Sequence, residues 1–335
     1  MKRRRAVILT VSILMALALA IQATSIASAS GVPPQWVALA NLPHATEGGC
    51  TALFHDKIYV AYGFSPGLGD TNSLRVYDIR TNTWSSGPVA PGVPRSEGYR
   101  GVEHDGRIYC IGGRSSGRVL SDLVRFDPST NMWKTLAPMP VALAGMTAVT
   151  AGENLYTFGG RTTTAPCSGG TTNTILRYNF RTNTWSVAGH LAISRSDATA
   201  ARVGNKIYIF GGCNGNTGAF FDSVEVFNPS RGTSTLLAAT MPGGPRADAA
   251  ATVDDFTIHI VGGWNRSGTI GANNHLLFKT RTKTFSIGVM MPRHCLGAAD
   301  RAELELVIDE ERIYAVAGSC PAFGRSIPNL DSLQV

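Results

Sequence analysis

Arginine and carboxylate residues recur together in short triplets along the chain. Three triplets share an Arg-x-acid pattern: Arg95 with Glu97, Arg195 with Asp197, and Arg246 with Asp248. A guanidinium group can bind a carboxylate or another oxyanion through two parallel hydrogen bonds. A carboxyl group can serve as a general acid or base. The triplets therefore predict a site for a polar ligand, or acid and base chemistry on such a ligand.

Two further arginines, Arg114 and Arg161, directly follow pairs of glycines. We expect them to point into the same basin as the triplets. The candidate ligand-binding set has eight members: Arg95, Glu97, Arg114, Arg161, Arg195, Asp197, Arg246 and Asp248.

A structural interpretation of these residues competes with the ligand interpretation. Each triplet arginine can pair with an acidic residue of its own or a neighbouring repeat and form a structural ion network. In the ligand interpretation, some arginines stay free. Three charge-assisted hydrogen bonds would then give about millimolar to micromolar affinity for a sugar acid or a peptide carboxylate. The sequence leaves both interpretations open.

Signatures of other chemistry are absent from the sequence. It has no H-E-x-x-H pair, no phosphate loop and no dinucleotide fingerprint. Its seven histidines are scattered and none of its six cysteines stands in a C-x-x-C pair, so we predict no metal and no cofactor. We expect disulfides between Cys167 and Cys213 and between Cys295 and Cys320. Cys110 is expected to be a buried thiol.

The candidate residues lie in a unit that is repeated six times. Each copy contains an apolar strand with an aromatic residue that ends in glycine: KIYVAYG (57–63), RIYCIGG (107–113), NLYTFGG (154–160), KIYIFGG (206–212), TIHIVGG (257–263) and RIYAVAG (312–318). A second phrase follows in the first five copies and ends at Trp84, Trp133, Trp185, Ser234 or Phe285. A period near 50 residues with four short β-like segments is typical of a propeller blade, because so small a unit must stack on its neighbours.

The glycine pairs, aromatic residues and tryptophans of these copies resemble the kelch repeat. The resemblance covers essentially all of the chain after residue 29 and implies an all-β fold. This fold is a six-bladed kelch β-propeller with four antiparallel strands per blade. We expect one domain over residues 30–335, with blades at about 44–92, 93–141, 142–192, 193–242, 243–291 and 292–335. We assign the repeated aromatic residues to packing between blades.

The ring needs a closing strand, because the sixth copy ends at residues 329–335 before a fourth strand. Residues 33–43, PPQWVALANLP, look like a fourth strand that is separated from its unit. We predict that Trp36 pairs with the C-terminal strand. The two ends of the chain would then share one blade and leave no sheet edge open.

The direction of the strands predicts which face carries the candidate residues. Strands alternate in direction, so the loops between second and third strands share a face with the segments that join consecutive blades. These joining segments contain the triplets, with Arg293 and His294 at the corresponding place in the sixth blade and His44 and Glu47 in the first. We expect all of these side chains to gather around one mouth of the central channel.

Residues 1–29 have the pattern of a secretory signal peptide. KRRR (2–5) precedes an uncharged apolar run (6–21) and the small residues 27–29, in the order that export requires. Without the four basic residues of the leader, 26 basic and 23 acidic residues give a net charge of +3, which is too low to indicate nucleic-acid binding. We expect a secreted monomer, extracellular or periplasmic, with no membrane segment after cleavage and with disulfides that persist.

Three functions follow as hypotheses from this pattern. The first is a recognition module that binds a protein or a glycan, with or without a carboxylate group, through its long-loop face. The resemblance extends to exported kelch proteins that isomerise sialic acid, which implies a carbohydrate epimerase or mutarotase as the alternative. Its acid and base would be Glu97, Asp197 or Asp248. The third is a purely structural exported protein, since the fold alone does not decide function.

Overall fold

The computed structural model describes residues 33–97, 101–264, 275–292, 294, 301–320 and 325–335. These residues form a six-bladed β-propeller with four antiparallel strands in each blade, which confirms the predicted fold class. The part of the chain that is described contains no helix. Accordingly, it has no helical segment with the length and apolar character needed to span a membrane.

The blades follow one another in chain order, and the first strands of neighbouring blades lie side by side around the channel. The strands of blades 1 to 3 are Cys50–Phe54, Lys57–Ala61, Leu74–Asp78 and Thr83–Ser86; Val102–His104, Arg107–Ile111, Leu123–Asp127 and Met132–Thr135; Thr147–Ala151, Asn154–Phe158, Thr174–Asn179 and Thr184–His190. Those of blades 4 to 6 are Thr199–Val203, Lys206–Phe210, Ser223–Asn228 and Thr233–Thr240; Ala250–Asp254, Thr257–Val261, His275–Lys279 and Thr284–Ile287; Glu305–Ile308, Arg312–Val316, Leu330–Gln334 and Trp36–Ala38.

In the described part of the chain, four loops between second and third strands form short two-stranded ribbons. The ribbons pair Phe64–Ser65 with Gly69–Asp70, Arg114–Ser115 with Arg118–Val119, Cys213–Asn214 with Ala219–Phe220, and Ser319–Cys320 with Arg325–Ser326. Since a ribbon satisfies its own backbone hydrogen bonds, it gives the long-loop face a defined surface.

The N-terminal strand closes the ring as predicted. Trp36 lies opposite Leu333 in antiparallel register, and Leu39 donates a further backbone hydrogen bond to the Leu330 carbonyl at 2.9 Å. The Trp36 indole is 8% exposed and donates from Nε1 to the Val289 carbonyl of blade 5 at 3.0 Å. The closing strand is therefore fixed both to its own blade and to the blade before it.

A buried histidine pair lies beside the closing strand. His259 Nδ1 and His275 Nε2 are 2.7 Å apart, and His275 Nδ1 is 3.2 Å from the Val289 carbonyl oxygen. Because that carbonyl can only accept, His275 carries its proton on Nδ1 and accepts from His259. The edge of the Trp36 ring system packs against His275 with the ring centroids 6.0 Å apart.

Both imidazoles are expected to stay neutral well below their usual titration range. Burial lowers the pKa of His259 and of His275 from 6.5 to about 4. A folded pKa below the unfolded one means that stability is complete above pH 6.5 and is lost as the pH falls towards 4. The loss is expected to be on the order of 2 kcal/mol for each imidazole by pH 5. Proton NMR titration with the His259 and His275 signals assigned checks this, and titration of these two signals near 6.5 in the folded protein would contradict it.

The hydrophobic core lies between blades rather than within them. Tyr59 of blade 1, for example, packs with Ile108 and Phe126 of blade 2 in one buried cluster. The tryptophans of the second phrase fasten each blade to the preceding chain segment. Trp84, Trp133 and Trp185 donate from Nε1 to the carbonyls of Ala40, Pro88 and Ala137 at 2.7, 3.1 and 2.8 Å. The structure thus places these aromatic residues in blade packing, as the sequence predicted.

The cysteines form disulfides across blade interfaces. Cys167 and Cys213 are paired as predicted and join the long loops of blades 3 and 4. Cys50 and Cys110 are also paired, with their Cα atoms 5.7 Å apart, so the prediction that Cys110 is a buried thiol was wrong. The first strand of blade 1 contacts the second strand of blade 2, which brings together two residues that are 60 positions apart. Cys320 is disulfide-bonded, and its predicted partner Cys295 lies outside the described residues.

Candidate binding site at the channel mouth

The three triplet arginines are buried inside the propeller and hydrogen-bonded to the main chain. Arg95, Arg195 and Arg246 are at most 1% exposed. Each donates from Nη1 to the carbonyl of the first residue of a glycine pair 16 or 17 positions later: Gly112 at 3.3 Å, Gly211 at 2.7 Å and Gly262 at 3.4 Å. The structure corrects the expectation that these side chains reach the channel mouth, because a fully buried guanidinium group cannot contact a ligand.

Acidic partners compensate two of these arginines. Arg95 Nη2 lies 3.0 Å from Asp122, and Arg195 Nη2 lies 3.2 Å from Glu225. Glu225 also accepts a hydrogen bond at 2.6 Å from Ser234, which stands where the other blades carry a large aromatic residue. The structural ion network therefore describes these side chains. For Arg195, the signal in the sequence is that blade 4 has the acidic Glu225 on its third strand and Ser234 in place of the tryptophan.

The acidic residues of the triplets occupy a shared backbone position at the channel. In each blade, the residue just before this position forms an isolated β-bridge with the first residue of the long loop. The six equivalent positions are therefore Gly48, Glu97, Gly145, Asp197, Asp248 and Glu303. All six have a left-handed backbone, with φ between +50° and +60°. This conformation is unfavourable for residues other than glycine, and such strain often marks functional sites.

Main-chain hydrogen bonds link these positions from one blade to the next. The amide of Asp197 donates to Gly145 at 2.6 Å, that of Asp248 to Asp197 at 2.8 Å, and that of Glu303 to Asp248 at 3.2 Å. Within blade 4, Gly212, at φ +88°, lies close to the segment that precedes Asp197 because it has no Cβ. A Cβ there would lie 2.6 Å from the Ser196 carbonyl oxygen. Together these contacts gather the acidic side chains around the channel.

Arg161 is the centre of a buried ion triad in this ring. Its two terminal nitrogens bind Glu97 and Asp197, and all three side chains are at most 4% exposed. Arg114 reaches the same Glu97 carboxylate from the loop side, with Nε 2.6 Å from Oε1, and its side chain is 30% exposed. Of the predicted arginines that the structure describes, Arg114 is the one whose side chain is partly accessible at the mouth.

Trp264 adds an aromatic surface to the mouth. It follows a glycine pair at the position that Arg114 and Arg161 hold in their blades, and its Nε1 donates to Asp248 at 2.5 Å. Its partly exposed ring meets Phe220 edge to face, with the centroids 5.2 Å apart. Sequence analysis missed Trp264, although its place after a glycine pair was the available signal.

Glu303 is the second residue that sequence analysis missed. The structure places Arg301 and Glu303, rather than Arg293 and His294, at the triplet position of blade 6. Arg301 is buried against Asp331 at 2.7 Å, as Arg95 is against Asp122 and Arg195 against Glu225. His294 instead lies 2.8 Å from Asp331, and Arg293 is outside the described residues. The insertion in this blade hid the Arg-x-Glu spacing.

Desolvation raises the pKa of several carboxyl groups in the ring. Burial, followed by the nearby charge of Asp197, raises the pKa of Asp248 well above its usual value. Burial and the charge of Asp248 raise the pKa of Glu303 in the same way. For Glu97 burial outweighs the attraction of Arg161 and Arg114. The mouth therefore holds carboxyl groups that can donate as well as accept protons.

One grouping of possible metal ligands is found in the described part of the chain. It consists of Cys167, Asp197 and Cys213, whose donor atoms lie within 4.8 Å of one another. The two sulfurs form a disulfide, so no thiolate is available to bind a metal ion. The Cys167 amide instead donates to Asp197 at 3.4 Å, which ties the disulfide to the ring.

Family comparisons agree with this architecture. A family model described as the KLHDC2/KLHL20/DRC7 Kelch-repeats domain matches residues 145–324, more than half of the chain. A Kelch motif model matches residues 48–88 and 97–140. The chain belongs to the kelch-repeat family. The predicted membership is confirmed.

Curated kelch relatives match the chain at low identity. Kelch-like protein 38 of Mus musculus is 27% identical over 55% of this chain and 31% of its own length. Kelch-like protein terF of Aspergillus terreus is 28% identical over 58% of this chain and 44% of its own length. Kelch-like protein 36 of Mus musculus is 24% identical over 79% of this chain and 43% of its own length. The matched part of this kelch chain thus spans less than half of each relative.

A solved structure has the same fold over nearly all of its length. The structure of YjhT superposes with a TM-score of 0.73 and covers 87% of this chain and 95% of its own. At 17% sequence identity the similarity establishes the fold alone.

Proposed function

We propose that this kelch propeller is an exported recognition module whose channel mouth binds a protein or a glycan. Kelch propellers commonly serve as protein-interaction modules. The observation that carries the proposal is the mouth itself, where ionisable and aromatic side chains converge from different blades while remaining partly exposed. Those side chains are Glu47, Arg114, Trp264 and Glu303. Convergence of a few polar groups with an aromatic ring is typical of a binding site.

The ionisable groups at the mouth indicate which kind of ligand it can bind. Among the residues that the structure describes there, carboxyl groups outnumber arginines: Glu47, Glu97, Asp197, Asp248 and Glu303 face Arg114 and Arg161. Each carboxyl that stays ionised repels an anionic group, whereas the oxygens of ionised and protonated carboxyls alike can accept hydrogen bonds from hydroxyl and amine groups. We therefore favour a ligand that presents hydroxyl or amine donors over the carboxylate ligand that the arginine pattern suggested.

The aromatic pair supplies the apolar part of the proposed contact. The partly exposed Trp264 ring is held in place by Asp248 and by the edge of Phe220. A ring fixed in this way can stack on the face of a sugar or on a side chain of a protein loop at little entropic cost. Both kinds of partner suit the site, and the experiment below separates them.

Export is supported by the disulfides of the propeller. Cys50–Cys110 and Cys167–Cys213 are both formed, and such bonds persist in oxidising compartments. The leader at residues 1–29 lies outside the described residues, so the signal peptide remains a prediction.

The proposal is tested by comparing two mouth variants with a matched surface variant. Trp264→Ala and Arg114→Ala are expected to weaken binding at least about tenfold on a glycan array or a displayed peptide library. Val187→Ala truncates another exposed side chain, 60% exposed on the outer strand of blade 3, and is expected to bind as the wild type does. Absence of any wild-type ligand in both libraries, or binding that survives both mouth substitutions, would count against the site.

Acid and base catalysis on a sugar is the second candidate function. The raised pKa values of Asp248 and Glu303, which lie side by side, favour it because a protonated carboxyl can act as the acid and its neighbour as the base. Proton NMR of anomeric exchange on the sugars that bind the array would reveal such catalysis. Unchanged exchange rates with the wild-type protein would exclude it for those sugars.

A further inference from the structure

A cationic groove lies between blades 4 and 5 on the face opposite the long loops. Its cavity has a volume of about 220 Å³. The cavity is lined by Lys206, Tyr208, Val226, Asn228, Arg231, Thr233, Thr235, Leu237 and Lys283. Lys206 begins the second strand of blade 4, and Arg231 and Lys283 belong to the turns that precede the fourth strands of blades 4 and 5. Two blades therefore contribute to one site.

The groove contains three cations and no acidic residue. Lys206, Arg231 and Lys283 are all exposed, and no acidic side chain is among the residues that line the cavity. Among the described residues none of the three cations forms an ion pair within 4.0 Å. Like charges held together repel each other, so an arrangement of this kind favours the binding of an anion.

In the corresponding groove between blades 1 and 2, acidic residues balance the cations. It is lined by Lys57, at the position of Lys206, and by Arg80, but also by Asp78 and Asp56. Lys57 is paired with Asp78, and Arg80 is paired with Asp56. The same place in the fold is thus electrically balanced in blade 1 and unbalanced in blade 4.

A single residue accounts for much of the difference. Lys57 lies opposite Asp78 in the register of blade 1, and in blade 2 Arg107 pairs with Asp127 at 3.2 Å. In blade 4 the position opposite Lys206 is held by Asn228, one step beyond the pair of Ile207 with Phe227. The amide of asparagine has no charge with which to balance the lysine.

Asn228 retains the structural role of the aspartate that it replaces. Its Oδ1 accepts hydrogen bonds from the Ser230 amide at 3.1 Å and from the Ser230 hydroxyl at 2.8 Å. Asp127 Oδ1 accepts the same two bonds from Ser129 at 3.1 and 2.6 Å. The turn needs only the oxygen, so the loss of the negative charge affects the electrostatics of the groove and leaves the fold unchanged.

We propose that this groove is a binding site for an oxyanion group, a sulfate or phosphate ester on a small ligand. Three cations from two blades can surround such a group, and the hydroxyls of Thr233 and Thr235 can donate to its oxygens. A cavity of about 220 Å³ is smaller than a site for a whole drug-sized ligand, so it holds the charged group and leaves the rest of the ligand outside. The site is distant in the fold from the channel mouth and does not depend on the function proposed there.

Calorimetric titration with glucose 6-sulfate, glucose 6-phosphate and glucose tests the proposal on the intact protein. At low ionic strength, where the Debye length is about 30 Å, we expect a Kd on the order of 1 mM for at least one ester and no measurable binding of glucose. The two esters distinguish sulfate from phosphate recognition. Failure of both esters to bind, or equal binding of glucose, would overturn the proposal.

Two substitutions in blade 4 and one in blade 1 locate the site. Lys206→Gln removes one cation, and Asn228→Asp restores the charge that blades 1 and 2 carry while keeping the oxygen that the turn needs. Each is expected to weaken ester binding at least about tenfold. The matched variant Lys57→Gln alters the balanced groove and is expected to leave binding unchanged. Wild-type affinity in both blade 4 variants, or an equal loss in Lys57→Gln, would place the anion elsewhere.

Discussion

Deletion of residues 33–43 is expected to lower the melting temperature by about 10 °C or more and to cause aggregation. The deletion removes the fourth strand of blade 6 and exposes the edge of Leu330–Gln334, whose backbone groups would then be unpaired. It also removes the buried side chains of Trp36 and Leu42. Burial of side chains of this size contributes about 2 to 5 kcal/mol each.

The closing segment is also held by blade 1, which adds to the expected loss. Asn82 Oδ1 accepts from the Ala40 amide at 2.8 Å, and Trp84 Nε1 donates to the Ala40 carbonyl at 2.7 Å. Without this segment, blade 6 lacks its fourth strand and blade 1 loses its contacts with Ala40. Because a closed ring loses stability at both joints at once, the effect should exceed that of any single substitution in the segment.

Calorimetry and light scattering measure the two parts of this prediction. Val37→Thr serves as the matched control, since Val37 lies in the same strand with 44% of its surface exposed, and it is expected to melt within about 2 °C of the wild type. A synthetic peptide of residues 33–43 added to the deleted protein is expected to restore part of the lost stability. A deletion variant that melts as the wild type does and stays monomeric would refute closure by this strand.

Arg161→Met is expected to destabilise the propeller by about 3 to 5 kcal/mol at neutral pH. The substitution fills a similar volume but leaves Glu97 and Asp197 buried without the cation that binds both. The loss has an electrostatic signature. Burial already raises the pKa of Glu97 above its usual value, and removal of Arg161 raises it further. A carboxyl with a raised folded pKa costs stability as the pH rises through that pKa, so the difference from wild type should shrink in acid.

Arg114→Met provides the comparison within the same network. Arg114 binds the same carboxylate, but its side chain is 30% exposed, and partly exposed pairs contribute about 1 kcal/mol or less. Denaturant unfolding of both variants and the wild type at pH 7 and pH 4.5 measures the differences. Equal losses for the two arginines, or a loss for Arg161→Met that does not depend on pH, would show that the triad is not electrostatic in the way described.

Local patterns in the sequence were sufficient for the fold. The six glycine-ended strands and the spacing of Trp84, Trp133 and Trp185 predicted six blades. The residues around Trp36 predicted the closing strand. These predictions succeeded because strand alternation and turn residues are properties of short segments. The same patterns could not predict that Cys50 meets Cys110, since that contact depends on how two blades pack.

The candidate site was predicted less completely than the fold. The triplet spacing found Glu97, Asp197 and Asp248, and the glycine pairs found Arg114 and Arg161. Spacing could not show that the arginine and the acid of one triplet point to different places. The left-handed backbone at the acidic residue turns its side chain towards the channel. The arginine side chain instead remains buried and donates to the carbonyl of a glycine pair.

The sequence by itself determined the number of blades, the segment that closes the ring and the chemical classes of residue near the channel. The tertiary structure alone decided which charges are compensated. Arg195 is balanced by Glu225 from its own blade, whereas Lys206 faces the neutral Asn228 and is joined by Lys283 from the next blade. Burial and charge balance are sums over neighbours that several blades supply, and the order of residues along the chain does not contain those distances.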